Sequence, residues 1–229
     1  MARKIIPLIT DEIYHIILRG VEGRVIFQNE EDYYRAIHDL YEFNDEDNVS
    51  WIYRHAFKDN QAKTDILEKA DNKKQRKLLV HILAFCLMPN HLHFLLKQIK
   101  DKGISKFMQK FGSGYAVYFN NKYHRQGALF QSRFKPVLIE NEEQLKNNFV
   151  YIHSNPVALI EPNWKIGGIK DLKRAIKAVE NYKWSSYQDY LSYKNFPSLT
   201  HRGLFEKMLQ PNERRSFVND WLKHKKEDF

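Results

Sequence analysis

Two apolar stretches flank a short polar break and dominate the hydropathy pattern of the chain. Leu79 to Leu87 is almost unbroken apolar and too short to span a membrane. This pattern predicts a strand buried on both faces. Met88-Pro89-Asn90 then reads as a turn, because proline fixes its own φ and biases Met88 away from helix. His91 to Lys97 alternates and predicts a second strand, with Leu92, Phe94 and Leu96 on one side and His91 and His93 on the other. Upstream, Tyr14 to Gly20 reads as a strand ending in a glycine-bearing turn, with Val25-Ile26-Phe27 as a short continuation. Asn29 caps a helix running to about Phe43, with Tyr33, Ile37, Leu40 and Tyr41 at helical spacing and three acidic residues in its first turn.

Downstream, Ile104 to Tyr123 predicts a long helix with an apolar stripe through Phe107, Phe111, Tyr115 and Phe119. Gly112 and Gly114 within it mark a kink or a close approach. Phe130, Ser132 and Phe134 alternate with Gln131, Arg133 and Lys135, the pattern of a strand with a cationic, hydrogen-bonding face. Asn141 and Gln144 form a capping box for a helix buried through Leu145, Phe149 and Ile152 and stopped by Pro156. Beyond Val157 the segments 161–164 and 166–168 read as loops. Helices are expected over Leu172 to Asn181, over Trp184 to Leu191 with a serine cap, over Leu204 to Leu209, and over Glu213 to Lys225. The organisation expected is one domain over residues 1–157 and a mostly helical C-terminal extension over 158–229, with a charged excursion at 44–77.

The pattern thus mixes strands and helices. Lys and Arg number 37 against 28 Asp and Glu, a formal net charge of +9 that suits a polyanionic partner. Aromatic residues make up 14% of the chain, and aromatics among basic groups suit stacking on unpaired bases. An ordinary basic enzyme shares that charge balance. Cys86 is the one cysteine, so an intrachain disulfide and a cysteine-based zinc site are excluded. The segment Met1 to Pro7 has no long apolar run, so an intracellular, cytoplasmic location without a signal peptide is expected.

Three groups of residues carry candidate chemistry. His91 and His93 lie two apart on a strand, so both imidazoles face one side and begin a divalent metal site; ordinary half-buried strand histidines are the alternative. Without a thiolate donor, the ion expected is hard and exchangeable, Mg²⁺ or Mn²⁺. Tyr151 flanks the buried stripe of its helix, with Gln144, Asn148 and Asn155 on its side; it can attack while Asn155 coordinates, or it can be a half-buried tyrosine with a bonded hydroxyl. The third group is the basic, aromatic segment from Asn121 to Lys135. Lys122, Arg125, Gln131, Arg133 and Lys135 are the residues expected on a nucleic-acid path, with a charge-protected edge strand as the alternative.

Met88-Pro89-Asn90-His91-Leu92-His93 and Tyr151-Ile152-His153-Ser154-Asn155-Pro156-Val157 together resemble the HUH single-tyrosine transposases, most closely the REP-associated tyrosine transposases. Gly127 to Lys135, Trp184-Ser185-Ser186-Tyr187, and Tyr14-His15 with Arg19-Gly20 and Ile26-Phe27 are similar to that family as well. The resemblance implies an α+β fold, a ferredoxin-like core with an antiparallel sheet and helices on one face. It further implies a metal pair at His91 and His93, a third ligand at Asn155 and a nucleophile at Tyr151. The implied activity is metal-dependent cleavage and joining of single-stranded DNA beside a hairpin, through a 5′-phosphotyrosine. A homodimer is compatible with it. One rival function is a regulator on the same fold that binds DNA or RNA without cutting; a second is an HUH replication initiator or relaxase, which the single-tyrosine helix and its Asn155-Pro156-Val157 ending disfavour.

Overall fold

The computed structural model describes residues 7–47, 76–131 and 133–227. Four strands, β1 (Ile13–Arg19), β2 (Val80–Met88), β3 (His91–Gln98) and β4 (Lys135–Leu138), form one antiparallel sheet in the order β2-β3-β1-β4. Helix α1 (Glu30–Glu42) lies between β1 and β2 in the chain, and α2 (Gly103–Lys122) between β3 and β4. This β-α-β-β-α-β succession with that strand order is the ferredoxin-like arrangement. The segment of the charged excursion at 48–75 lies outside the described residues.

Both faces of the sheet are buried, because β2 and β3 carry apolar residues on both sides. On one face Tyr14, Ile16, Leu18, Leu92, Phe94 and Leu96 pack against Leu40, Phe107, Phe111, Tyr115 and Phe119 from α1 and α2. On the other, Leu83, Cys86, Met88 and Leu95 pack against α3 (Glu142–Ser154) through Leu145, Phe149 and Ile152. Helices thus cover both faces of the sheet, where the resemblance implied one. The ferredoxin-like pair α1 and α2 keeps to a single face, and α3 with the C-terminal helices closes the second. A register shift between Ile82 and Ala84 lets β2 serve both cores out of strict alternation.

The predicted helices have local causes. The Asn29 side chain accepts from the Asp32 amide and starts α1; the Asn141 side chain accepts from the Gln144 amide and starts α3. Gly114 marks a close approach, since a Cβ there would stand 2.5 Å from the Phe43 ring, and α2 runs unbroken through it. At the N-terminal end of β2, Asn44 bonds the amides of Leu79 and Val80 and the Val80 carbonyl.

Three local expectations are corrected. Among the described residues of the alternating segment, Phe130 makes one bridge to Gly20 and the ladder starts only at Lys135. Phe130 and Phe134 reach the core without strand pairing, so their alternation misplaced the element. Residues 25–27 do not continue β1; the amides of Ile26 and Phe27 instead bond the Pro89 carbonyl and clamp the turn before His91. Trp184 to Ser186 are not helical. They line the open edge of β2, with Cys86 bridged to Ser185, Leu87 N–H to the Trp184 carbonyl and the Ser186 amide to the Phe85 carbonyl. The helix α6 (Tyr187–Tyr190) follows.

The C-terminal extension shares the second core. Within it, α4 (Trp164–Gly167) replaces the loop expected there, because Trp164 is buried and packs edge-on against Trp221. Helices α5 (Leu172–Asn181), α7 (Gly203–Met208) and α8 (Pro211–Glu227) contribute Ala175, Val179, Phe205, Val218 and Leu222 to the same cluster as α3. Among the described residues no helix is long and apolar enough to cross a membrane.

Candidate active site

The sheet register builds the site. Ile17 pairs with His93, Arg19 with His91, and His93 with Cys86, so His15, Arg19, His91 and His93 share the face that α3 covers. The turn before His91 is held by Gly20 N–H on the Asn90 carbonyl and by the two bonds to Pro89. The Asn90 side-chain oxygen stands 2.6 Å from His91 Nδ1. An amide oxygen only accepts, so Nδ1 carries the hydrogen and Nε2 keeps its lone pair.

His93 is almost wholly buried, and its Nδ1 lies 2.9 Å from Nε2 of His15. The rings of His15 and His93 stack with centroids 5.1 Å apart, and His91 meets His93 edge-on at 4.9 Å. Burial, first, and then the charge of Lys165 hold His15 at about 4. Burial, then Arg19 and Lys165, bring His91 to about 4. His93 lies well below the ordinary imidazole range, chiefly through burial and then through its two neighbouring histidines. All three are neutral at physiological pH, the form that donates to a metal.

The donor set fits a cation. His93 Nε2 is buried with no hydrogen-bond partner, beside the free lone pair of His91. Among the described residues no group of three or more His, Cys, Asp or Glu could hold a metal, so a cation here would need a donor of another kind beside the two imidazoles. His15 serves as the orienting partner of His93, because its Nε2 faces that ring.

Tyr151 comes from α3 and closes the cluster. Its ring stands edge-on to His15 at 5.7 Å and to His93 at 5.6 Å. Asn155 donates its amide hydrogens to the carbonyls of Tyr151 and Ile152, which leaves its oxygen as an acceptor. Lys165 of α4 joins the two: its ammonium donates to the Tyr151 hydroxyl at 2.9 Å and to Asn155 Oδ1 at 3.3 Å. An open cleft of about 550 Å³ beside them is lined by His15, Asn147, Asn148, Tyr151 and Trp221.

The structure thus groups His91, His93 and Tyr151, with Asn155 reaching the cluster through Lys165. The basic segment divides. Lys122 is tied to Asp32 and Glu31, both at 2.8 Å, inside a network with Tyr118 and Tyr123. That ammonium joins α1 and α2. Arg125 braces its own loop through the Asn120 side chain at 2.7 Å. Gln131, Arg133 and Lys135 are exposed, and pairing of Lys135 with Ile17 puts it on the face of His15 and His93. His15, Arg19 and Lys165 were not singled out from the sequence as site residues. The alternation of β1 could have found the first two, since His15 and Arg19 are an even number of residues apart. Nothing local marks Lys165, which arrives through the packing of α4.

Residues 48–155, somewhat under half of the chain, match the family model of IS200-like transposases. No curated protein matches. Among solved structures the chain is similar to a REP-associated tyrosine transposase bound to a REP hairpin, at 14% identity over 86% of this chain and 90% of that one, with a TM-score of 0.47. It is also similar to the tRNA(His) guanylyltransferase of Saccharomyces cerevisiae, at 13% identity over 76% and 73% of the two chains, with a TM-score of 0.31. Both likenesses are distant.

Proposed function

We propose that the protein cleaves and rejoins single-stranded DNA, with Tyr151 as nucleophile, on a substrate that carries a hairpin beside the cut. The observation that supports this most is the placement of Tyr151 against two neutral imidazoles, one with an unpartnered buried Nε2. The match of residues 48–155 to a transposase family supports the same reading. His91, His93 and Asn155 would hold one Mg²⁺ or Mn²⁺. When bound, such an ion supplies Lewis-acid polarisation of the scissile phosphate.

The chain's own residues account for the rest. Tyr151 Oη bonds to phosphorus and gives up its proton to solvent. The bond from phosphorus to the 3′-oxygen breaks, and that oxygen takes a proton and leaves as a hydroxyl. The product is a 5′-phosphotyrosine, and attack by a 3′-hydroxyl reverses the step and joins strands. Holding Tyr151 on a capped helix, wedged against His15 and His93, restricts where the attacking oxygen stands, one part of what an enzyme contributes to such a step. Arg19, Arg133 and Lys135 supply exposed positive charge for the DNA backbone.

The test is a hairpin oligonucleotide interrupted at the cut so that the adduct is trapped, followed by peptide mapping. An adduct on Tyr151 that is lost in Tyr151→Phe, with DNA binding retained, is the expected result. An adduct on Tyr115, Tyr118 or Tyr123, or one that persists in the variant, overturns the assignment. Tight binding with no cleavage in either metal would favour the non-cutting regulator.

A further inference from the structure

We propose that Lys165 is a catalytic residue whose ammonium counters the negative charge on the Tyr151 oxygen, both as that oxygen attacks and as it departs. The inference rests on the reading of Tyr151 above and assigns the extension beyond residue 157 a part in the chemistry.

The geometry carries it. Lys165 Nζ lies 2.9 Å from the Tyr151 hydroxyl oxygen, the atom that reacts. A second bond to Asn155 Oδ1 at 3.3 Å, and a position 4.4 Å above the Tyr151 ring, fix where the ammonium stands. An ammonium has donors and no acceptor, so it can only offer hydrogens to that oxygen. Among the described residues Lys165 makes no ion pair, so no carboxylate cancels its charge. The backbone beneath it is anchored. Trp164 is buried beside it, the amides of Ile166 and Gly167 return to the Asn163 carbonyl, and Glu161 bonds the amides of Lys170 and Asp171.

The chemistry needs such a group in both directions. During cleavage the tyrosine oxygen loses its proton to solvent and bonds to phosphorus while the 3′-oxygen leaves. During joining, a 3′-hydroxyl gives its proton to solvent and bonds to phosphorus, and the tyrosine oxygen departs with the electron pair of the broken bond. At each stage Lys165 keeps its own proton and faces the oxygen as its charge changes. A donor already aimed at developing charge acts without reorganisation, and removing one such donor lowers rates by roughly 10²–10³-fold.

The test uses the full chain with Lys165→Met, Lys165→Arg, Lys165→Ala and Tyr151→Phe. Adduct formation and joining from the isolated adduct are followed in single turnover, and oligonucleotide affinity is measured alongside. In Lys165→Met both rate constants should fall about a hundredfold, while affinity changes little. Lys165→Arg should recover most of the loss, and ethylammonium should partly restore Lys165→Ala, because the side chain is open to solvent. Wild-type rates in Lys165→Met, a loss confined to affinity, or a loss that neither arginine nor ethylammonium repairs would each overturn the assignment. Tyr151→Phe separates the two claims: an adduct surviving there removes the premise, whereas its absence alongside wild-type rates in Lys165→Met removes only the role of Lys165.

Discussion

Replacing His15 with phenylalanine tests whether that residue sets up the cation site. The ring volume and the stack on His93 are retained, and one hydrogen bond is deleted, the 2.9 Å contact between His15 Nε2 and His93 Nδ1. His93 is 1% exposed, so water cannot replace the lost partner. A buried polar group left unpaired costs about 1–3 kcal/mol. A lone pair on the unpartnered Nε2 of His93 requires the hydrogen on Nδ1, and His15 Nε2 is the acceptor that this tautomer uses. If that whole cost falls on the metal-binding form, affinity drops by roughly 5–150-fold, since about 1.4 kcal/mol is a factor of ten. Loss of an outer hydrogen-bond partner commonly weakens metal sites by about 10–100-fold. The assay is Mn²⁺ titration followed by the electron paramagnetic resonance of the free ion, which reads binding without DNA or turnover. His15→Gln, which restores a polar partner, should recover part of the affinity. An affinity within twofold of the wild type in His15→Phe, with folding intact, would refute the reasoning.

The cations near Lys135 and the one on α2 should behave differently. Replacing Arg133 and Lys135 with alanine should flatten the salt dependence of single-strand affinity by about 0.7 in log–log slope per lost phosphate contact, and an unchanged slope would take this segment off the DNA path. Lys122→Ala should leave that slope alone and lower stability by about 1–3 kcal/mol in denaturant unfolding, because the fully buried Asp32 loses a charged partner. Acid should destabilise the fold before its carboxylates titrate. His15 and His153 are buried and held at about 4 and about 3, and His93 lies well below its ordinary value. The unfolded chain takes up these protons near pH 6.5 and the folded chain resists, so stability is full above that pH and declines as pH falls toward 4. The slope is at most about 1.4 kcal/mol per pH unit for each group; a flat unfolding free energy between pH 6.5 and 4.5 would contradict it.

The sequence alone determined the elements whose causes are local. The two apolar strands around Pro89, the capped helices at Asn29 and Asn141, and the long stripe of α2 could all be read because spacing and caps act within a few residues. The pairing of His91 with His93 followed from strand periodicity, and Tyr151 from its place on the flank of a capped helix. What tertiary structure decided has causes far apart in the chain. His15 meets His93 across 78 residues because β1 lies between β3 and β4, a strand order that neither strand encodes by itself. Lys122, in sequence the start of a basic cluster, finds Asp32 across 90 residues and becomes a link between helices. Trp184 to Ser186 carry a helical pattern yet extend along β2, because an open strand edge offers more hydrogen bonds than one further turn. Lys165 lies in a segment with the composition of a loop and reaches Tyr151 because burial of Trp164 fixes the turn that carries it. A side chain's neighbours along the chain set its periodicity, and only the packed sheet sets which charges and lone pairs it faces.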